Sequence, residues 1–343
     1  MSRGKILVTG GTGYIGSHSV VELYNAGYEP IIIDNLSNSN VGVLEGIKKI
    51  IGVPVVYENI DCKDYNSLER FMERHPEIVG VAHFAASKSV GESVKEPLLY
   101  YRNNIVSLIN LLQLMHKFGI KNIVFSSSCT VYGQPDQLPV TERAPIKPAT
   151  SPYGRTKQIC EEILRDTSLA YQDLRVILLR YFNPIGAHPS AEIGELPNGV
   201  PNNLLPYITQ TAAGIRKELS VFGNDYSTPD GSCIRDYLGV VDLAKAHVVA
   251  INRLVESKGK SNVEVFNLGT GRGVSVLELL KTFVEVTGQN VPYKIAPRRD
   301  GDIEQIWADP SYANTELGWK AEETLGETLL SAWKWQQKLS EKA

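Results

Sequence analysis

The stretch KILVTGGTGYIGS, residues 5–17, decides the fold. A short apolar run breaks into glycines and passes into an amphipathic segment, residues 14–26, which reads as strand, turn and helix. Gly10, Gly13 and Gly16 fall at three-residue spacing, with Gly11 added. Glycines there permit a tight turn and let an anion approach the backbone N–H groups of a helix N-terminus, where the dipole favours negative charge. A glycine triplet alone serves equally well as an ordinary strand-to-helix turn.

The context selects the first reading. EPIIID (29–34) is the next strand, and it ends on Asp34, about 20 residues beyond the glycines, where a dinucleotide fold places a carboxylate for the adenosine ribose. Asn35 and Leu36 follow, not arginine, so a carboxylate meets the 2′ position and repels a 2′-phosphate: NAD is expected over NADP. An aspartate ending a strand is also a common turn residue. The runs VPVVYENID, IVGVAHFAA, IKNIVFSSS and LRVILLRYF repeat the apolar pattern with helical segments between them. That rhythm predicts an α/β fold, a Rossmann-type doubly wound parallel sheet over residues 1–182. A smaller α/β substrate-binding C-terminal lobe is expected over 183–343, some of its segments returning to the first domain. It opens with NPIGAHPSAEIGELPNGVPNN (183–203), rich in Gly, Pro and Asn, the kind of long structured loop that serves a site. Later helices are expected at 204–217, 241–256, 276–287 and 325–338.

Composition sets the outer limits. The chain has 343 residues, 43% hydrophobic and 21% charged, enough to build one large or two modest domains. With 35 basic and 38 acidic residues the net charge is -3, so no global field recruits nucleic acid or an anionic membrane. Cys62, Cys129, Cys160 and Cys233 form no Cys-x-x-Cys pair and the six histidines are scattered, which suggests neither disulfides nor a metal site and fits a reducing cytoplasm. No long apolar segment reads as a membrane span or signal sequence.

SPYGRTK (151–157) carries the candidate chemistry. Ser151 can cap a helix and Pro152 can take its first position, which puts Tyr153 and Lys157 on one face. A phenol of pKa about 10 is a weak acid at neutral pH. A neighbouring ammonium and the positive charge of an oxidised nicotinamide would each stabilise phenolate and move it towards general-base range. An amphipathic helix with an incidental Tyr/Lys pair is the plain alternative.

With VTGGTGYIGSH and SPYGRTK, the stretches DNLSNSN, HFAASKSVGESV, YYRNN, FSSSCTVYG, LRYFNPIGAHP, PNNLLPYI, FGNDY, RDY and APRRDGD resemble the extended short-chain dehydrogenase/reductase family along essentially the whole chain, and within it the UDP-glucose (UDP-galactose) 4-epimerases. The resemblance implies transient oxidation at sugar C4 to a 4-keto intermediate, rotation and re-reduction, with NAD bound throughout. It implies Tyr153 as acid/base, Lys157 holding the nicotinamide ribose and lowering the phenol pKa, and Ser128 hydrogen-bonding the 4-oxygen. Gly10, Gly13, Tyr14, Ile15, Gly16, Asp34, Asn35, Leu36, Ser37, Asn38, Ser39, Asp61, Cys62, Phe84, Ala85, Ala86, Lys88, Asn103 and Phe182 would line the NAD site. Asp61 has a plain reading as a polar strand terminus, and Lys88 as a solvated loop lysine.

A sugar that rotates cannot itself be gripped, so the resemblance puts affinity in the nucleotide: Arg235 on the diphosphate, Arg299 with Asp302 on the uridine ribose, and Asn183, Asn203 and Lys88 on the substrate. Arginine's planar fork suits phosphate, though APRRD alone reads as a solvated charge run. Leu204 would open a helix whose first amides face an anion. Two positions depart from the pattern: Cys129 stands where many relatives have alanine, and Ile306, before Trp307, leaves N-acetylated UDP-sugars open as substrates. A 4,6-dehydratase would need an acidic pair where Cys129 and Thr130 stand; a non-enzymatic NAD sensor would have little use for Ser128, Tyr153 and Lys157 together. The resemblance also implies a homodimer through helices near 97–117 and 152–171.

Overall fold

The computed structural model describes residues 2–299 and 303–341. Six strands precede residue 182: β1 (Lys5–Thr9), β2 (Glu29–Asp34), β3 (Val56–Asn59), β4 (Ile78–His83), β5 (Asn122–Ser128) and β6 (Arg175–Tyr181). Between them lie α1 (Tyr14–Asn25), α2 (Val43–Ile51), α3 (Tyr65–Arg74), α4 (Val90–Lys95), α5 (Pro97–Tyr101), α6 (Ser107–Lys117) and α7 (Pro152–Ala170). The rest comprises β7 (Asn183–Ile185), α8 (Leu204–Ala212), β8 (Leu219–Phe222), β9 (Ile234–Arg235), β10 (Tyr237–Gly239), α9 (Val240–Val255), β11 (Val263–Leu268), β12 (Val274–Ser275), α10 (Val276–Thr287), β13 (Tyr293–Ala296), β14 (Gln305–Ile306) and α11 (Leu325–Glu341).

Seven strands form one parallel sheet in the order β11-β6-β5-β4-β1-β2-β3. Because side chains alternate along a strand, each strand feeds two cores. Ile6, Val8, Ile32, Val124, Ile177 and Leu179 face the layer of α1, α2 and α9. Leu7, Ile31, Ile33, Ile123, Phe125, Val176 and Leu178 face α3, α6 and α7. The near-continuous apolar strands in the sequence are therefore strands covered on both sides. The strand order reverses between β1 and β4, and such a reversal opens a crevice at the carboxyl ends of the strands.

Chain segments beyond residue 183 divide between two places. α9 and β11 join the large sheet and its upper layer. α8, α10, α11, β8 and β13 enclose a separate core around Ile208, Phe283, Leu329 and Trp333. The helix expected over 204–217 stops at Ala212, because Gly214 turns the backbone left-handed (φ 75°). The helix expected near 97–117 is interrupted by a π-helical turn, Arg102–Val106. Such turns often mark functional positions, and this one carries Asn103 and Asn104.

Ile177 is 0% exposed at the centre of the larger core. Ile177→Ala is expected to lower unfolding stability by about 2–5 kcal/mol, read as a shifted denaturant midpoint.

Candidate active site

At the crevice the glycine turn makes room by close approach. Gly10 has φ 72°, and a Cβ there would stand 2.8 Å from the Ala85 backbone N. A Cβ on Gly16 would stand 2.2 Å from the Gly10 carbonyl, so the first turn of α1 lies directly on the end of β1. Gly13 occupies the N-cap of α1 without a side-chain cap, which leaves the first amides for an anion. Asp34 holds the next wall: Oδ1 accepts from Leu36 N (2.8 Å) and Ser39 Oγ (3.2 Å), and Oδ2 from Thr12 N (3.2 Å). Asp61 accepts from Asn35 Nδ2 (3.0 Å) and Lys63 N (2.9 Å), while Lys63 Nζ donates to Asn103 Oδ1 (2.7 Å).

These groups open onto one cleft of about 1020 Å³. Gly10, Gly13, Tyr14, Ile15, Gly16, Asp34, Asn35, Ser37, Asn38, Ser39, Asp61, Cys62, Phe84, Ala85, Ala86, Lys88, Asn103 and Phe182 line it, as do Ser128, Tyr153, Lys157, Asn183, Asn203, Arg235, Arg299 and Ile306. Two expected residues do not. Leu36 takes a left-handed turn (φ 57°) and meets Asp34 through its N–H, not its side chain. Leu204 opens α8, and its side chain packs on the C-terminal core. Asp302 lies outside the described residues. Cys62 and Cys129 are buried thiols pushed up to about 12 by burial, so neither is a nucleophile.

Local sequence chemistry builds the reacting end. Ser151 Oγ accepts from Gly154 N (3.2 Å), which starts α7 with Pro152 in its first turn and sets Tyr153 and Lys157 one turn apart. Lys157, 3% exposed, donates to the Ser126 carbonyl (2.6 Å) and sits 4.8 Å from the Phe125 ring centre and 5.9 Å from that of Tyr153. Burial lowers its pKa to about 8. Burial pushes Tyr153 up to about 12, and a hydrogen bond with Ser128 pulls the other way. In the chain alone the phenol therefore stands above its ordinary value; the expected lowering joined Lys157 to the positive charge of an oxidised nicotinamide. Ser128 Oγ accepts from Thr130 N (3.2 Å) and Thr130 Oγ1 (3.0 Å).

The opposite wall carries residues that sequence reasoning did not single out. Glu195 accepts from Lys88 Nζ (3.2 Å) and Asn203 Nδ2 (2.5 Å), and its carbonyl accepts from Trp335 Nε1 (3.0 Å). Through its carboxylate and its backbone carbonyl this one residue ties the β4 loop, the 183–203 segment and α11 together; its only sequence signal was its place in that Gly/Pro-rich stretch. Asp236, next to Arg235, accepts from Thr270 N and Oγ1 (2.8 and 2.7 Å), Gly271 N (3.2 Å) and Ala308 N (3.1 Å), which fixes the strand that carries the arginine. The arrangement offers an anion cradle, a ribose-facing carboxylate and an acid/base pair in one trough, and so fits a dinucleotide beside a second nucleotide.

Comparison with known proteins agrees. The profile of a family described as GDP-mannose 4,6 dehydratase matches residues 7–331. UDP-glucose 4-epimerase of Bacillus subtilis is 52% identical over 331 residues, which cover 96% of either chain. The structure of the UDP-glucose 4-epimerase of Stenotrophomonas maltophila with bound NAD and formylated UDP-arabinopyranose is similar at TM-score 0.95 and 49% identity, over 99% of this chain and 100% of the other. That of Bifidobacterium longum in complex with NAD+ and UDP gives 0.94 and 47%, with the same coverage. A shared fold and this degree of identity converge: the chain belongs to the UDP-glucose 4-epimerase family of the extended short-chain dehydrogenases/reductases.

Proposed function

We propose that the protein interconverts UDP-galactose and UDP-glucose, with NAD held in the glycine-turn half of the cleft. The observation that carries this is the convergence of Ser128, Tyr153 and Lys157, from β5 and α7, on a trough continuous with the Gly10–Asp34 cradle. When bound, NAD supplies hydride acceptance and return at sugar C4 and, oxidised, a positive charge beside the phenol. Tyr153 takes the 4-hydroxyl proton and gives it back. Ser128 holds the 4-oxygen, and Lys157 holds the ribose from its seat on Ser126. Gly10, Gly13 and Gly16 leave amides for the pyrophosphate, and Asp34 accepts from the adenosine ribose. Arg235 and Arg299 would clamp the UDP, leaving the sugar free to turn. In this reading residues 1–182 form the dinucleotide domain and 183–343 the UDP-sugar domain, with α9 and β11 returning to the first sheet.

The matching dehydratase profile raises a second reading, loss of water from C6. That step needs a proton donor beside Ser128, and the positions offered are Cys129, whose thiol is pushed up to about 12, and Thr130. Neither replaces a carboxylic acid.

The same reading includes a homodimer. Leu98 and Leu99 are 80% and 42% exposed and Leu169 is 77% exposed, all on the two helical stretches expected to pair. The four cysteines are buried and none is paired in a disulfide among the described residues, which supports a cytoplasmic setting; no helix among those residues is long and apolar enough to cross a membrane.

Purified protein without added NAD is expected to convert UDP-galactose to UDP-glucose, and Tyr153→Phe to keep nucleotide while losing about 10²–10⁴ in turnover. The same incubation with UDP-N-acetylgalactosamine measures what Ile306 admits at C2. Leu98→Glu combined with Leu169→Glu is expected to halve the mass found by light scattering. Lys157 titrates at about 8 when folded against 10.5 ordinarily, so between those values the unfolded chain binds the extra proton and folding stability rises with pH. Compared with Lys157→Met, which lacks this group, the wild type should gain on the order of 3 kcal/mol from pH 8 to 10.5, read by denaturation at each pH.

A further inference from the structure

Behind the cleft, and lining none of it, runs a buried polar chain. Glu161, one turn beyond Lys157 on α7 and 4% exposed, accepts from Ser127 Oγ (2.5 Å) and Arg180 Nε (2.8 Å) and pairs with Arg180 Nη2. Arg180, 3% exposed on β6, donates through Nη1 to Tyr132 Oη (2.9 Å). Tyr132 donates to Asn267 Oδ1 on β11 (2.7 Å), and Asn267 Nδ2 donates to the Val140 carbonyl (2.8 Å). Val140 in turn accepts from Asp309 N (2.8 Å) and donates to the Trp307 carbonyl (2.9 Å), next to Ile306 on the cleft wall.

The placement is informative. Ser127 stands between Ser126, whose carbonyl seats Lys157, and Ser128; Tyr132 closes the short 3-10 turn Cys129–Tyr132 that follows. A buried ion pair adds little stability over an apolar pair of the same volume, but it fixes geometry through directed bonds. Arg180's fork grips both Glu161 oxygens and reaches Tyr132 as well, so α7, β5, β6 and the turn after Ser128 share one register.

We propose that Glu161 is a positioning residue for Ser128 and Lys157, and that Arg180, Tyr132 and Asn267 extend its hold to the Ile306–Trp307 wall. This rests on the epimerase reading, which turnover by the wild-type protein tests separately. The double variant Glu161→Met/Arg180→Met keeps volume and leaves no unpaired charge. It is expected to unfold near the wild-type midpoint, to lose about tenfold or more in kcat on UDP-galactose with KM within about threefold, and to show in its crystal structure the Lys157 ammonium displaced from the Ser126 carbonyl. Tyr132→Phe, which removes one hydroxyl and keeps the shape, is expected to lower kcat by about threefold or more at unchanged KM, and decides the matter if the double variant does not fold. A folded double variant with wild-type kcat overturns the proposal, as does a Tyr132→Phe protein with wild-type kcat.

Discussion

Lys157 keeps an ammonium inside the protein with a single backbone carbonyl as its hydrogen-bond acceptor among the described residues, and much of the site follows from that. Removing a charge from water is costly unless oriented groups replace the solvent. Here the replacements are the Ser126 carbonyl, the faces of Phe125 and Tyr153, and Glu161 one turn along the helix. They work only if α7 lies close against the carboxyl end of β5. That closeness brings Tyr153 into reach of Ser128 on the cleft wall.

The same closeness sets the phenol's chemistry. Desolvation disfavours phenolate, and the nearby cation is already engaged with Ser126. Tyr153 therefore stays a protonated phenol in the chain by itself, and the positive charge missing from its surroundings is the one an oxidised nicotinamide would bring. Acid/base capacity is thereby coupled to occupancy of the dinucleotide half of the cleft. The lysine's partial loss of basicity is the thermodynamic cost of the arrangement.

The elements governed by local rules were legible in the sequence. Gly10 and Gly16 announced a turn no side chain could occupy, Asp34 announced the end of β2, and Ser151–Pro152 announced the start of α7. The alternation of apolar strands gave the parallel sheet because both faces of it are covered. Features set by distant partners were not legible. The direction of the Tyr153 shift in the chain alone is set by burial, which a four-residue motif does not disclose. Leu36 shares a stretch with Ser37 and Ser39 but does not line the cleft: a left-handed turn presents its N–H to Asp34. Glu195 and the Ser127–Glu161–Arg180–Tyr132–Asn267 chain span up to 140 positions of sequence between 127 and 267, with no spacing to betray them.

The measurement that bears most directly on this account is the ionisation of Tyr153 in protein freed of dinucleotide, read as the tyrosinate ultraviolet difference between wild type and Tyr153→Phe. The account predicts no ionisation of this phenol below about pH 10 until oxidised dinucleotide is restored, and a fall towards neutrality when it is. A phenol that already ionises near neutral pH in the dinucleotide-free protein contradicts it.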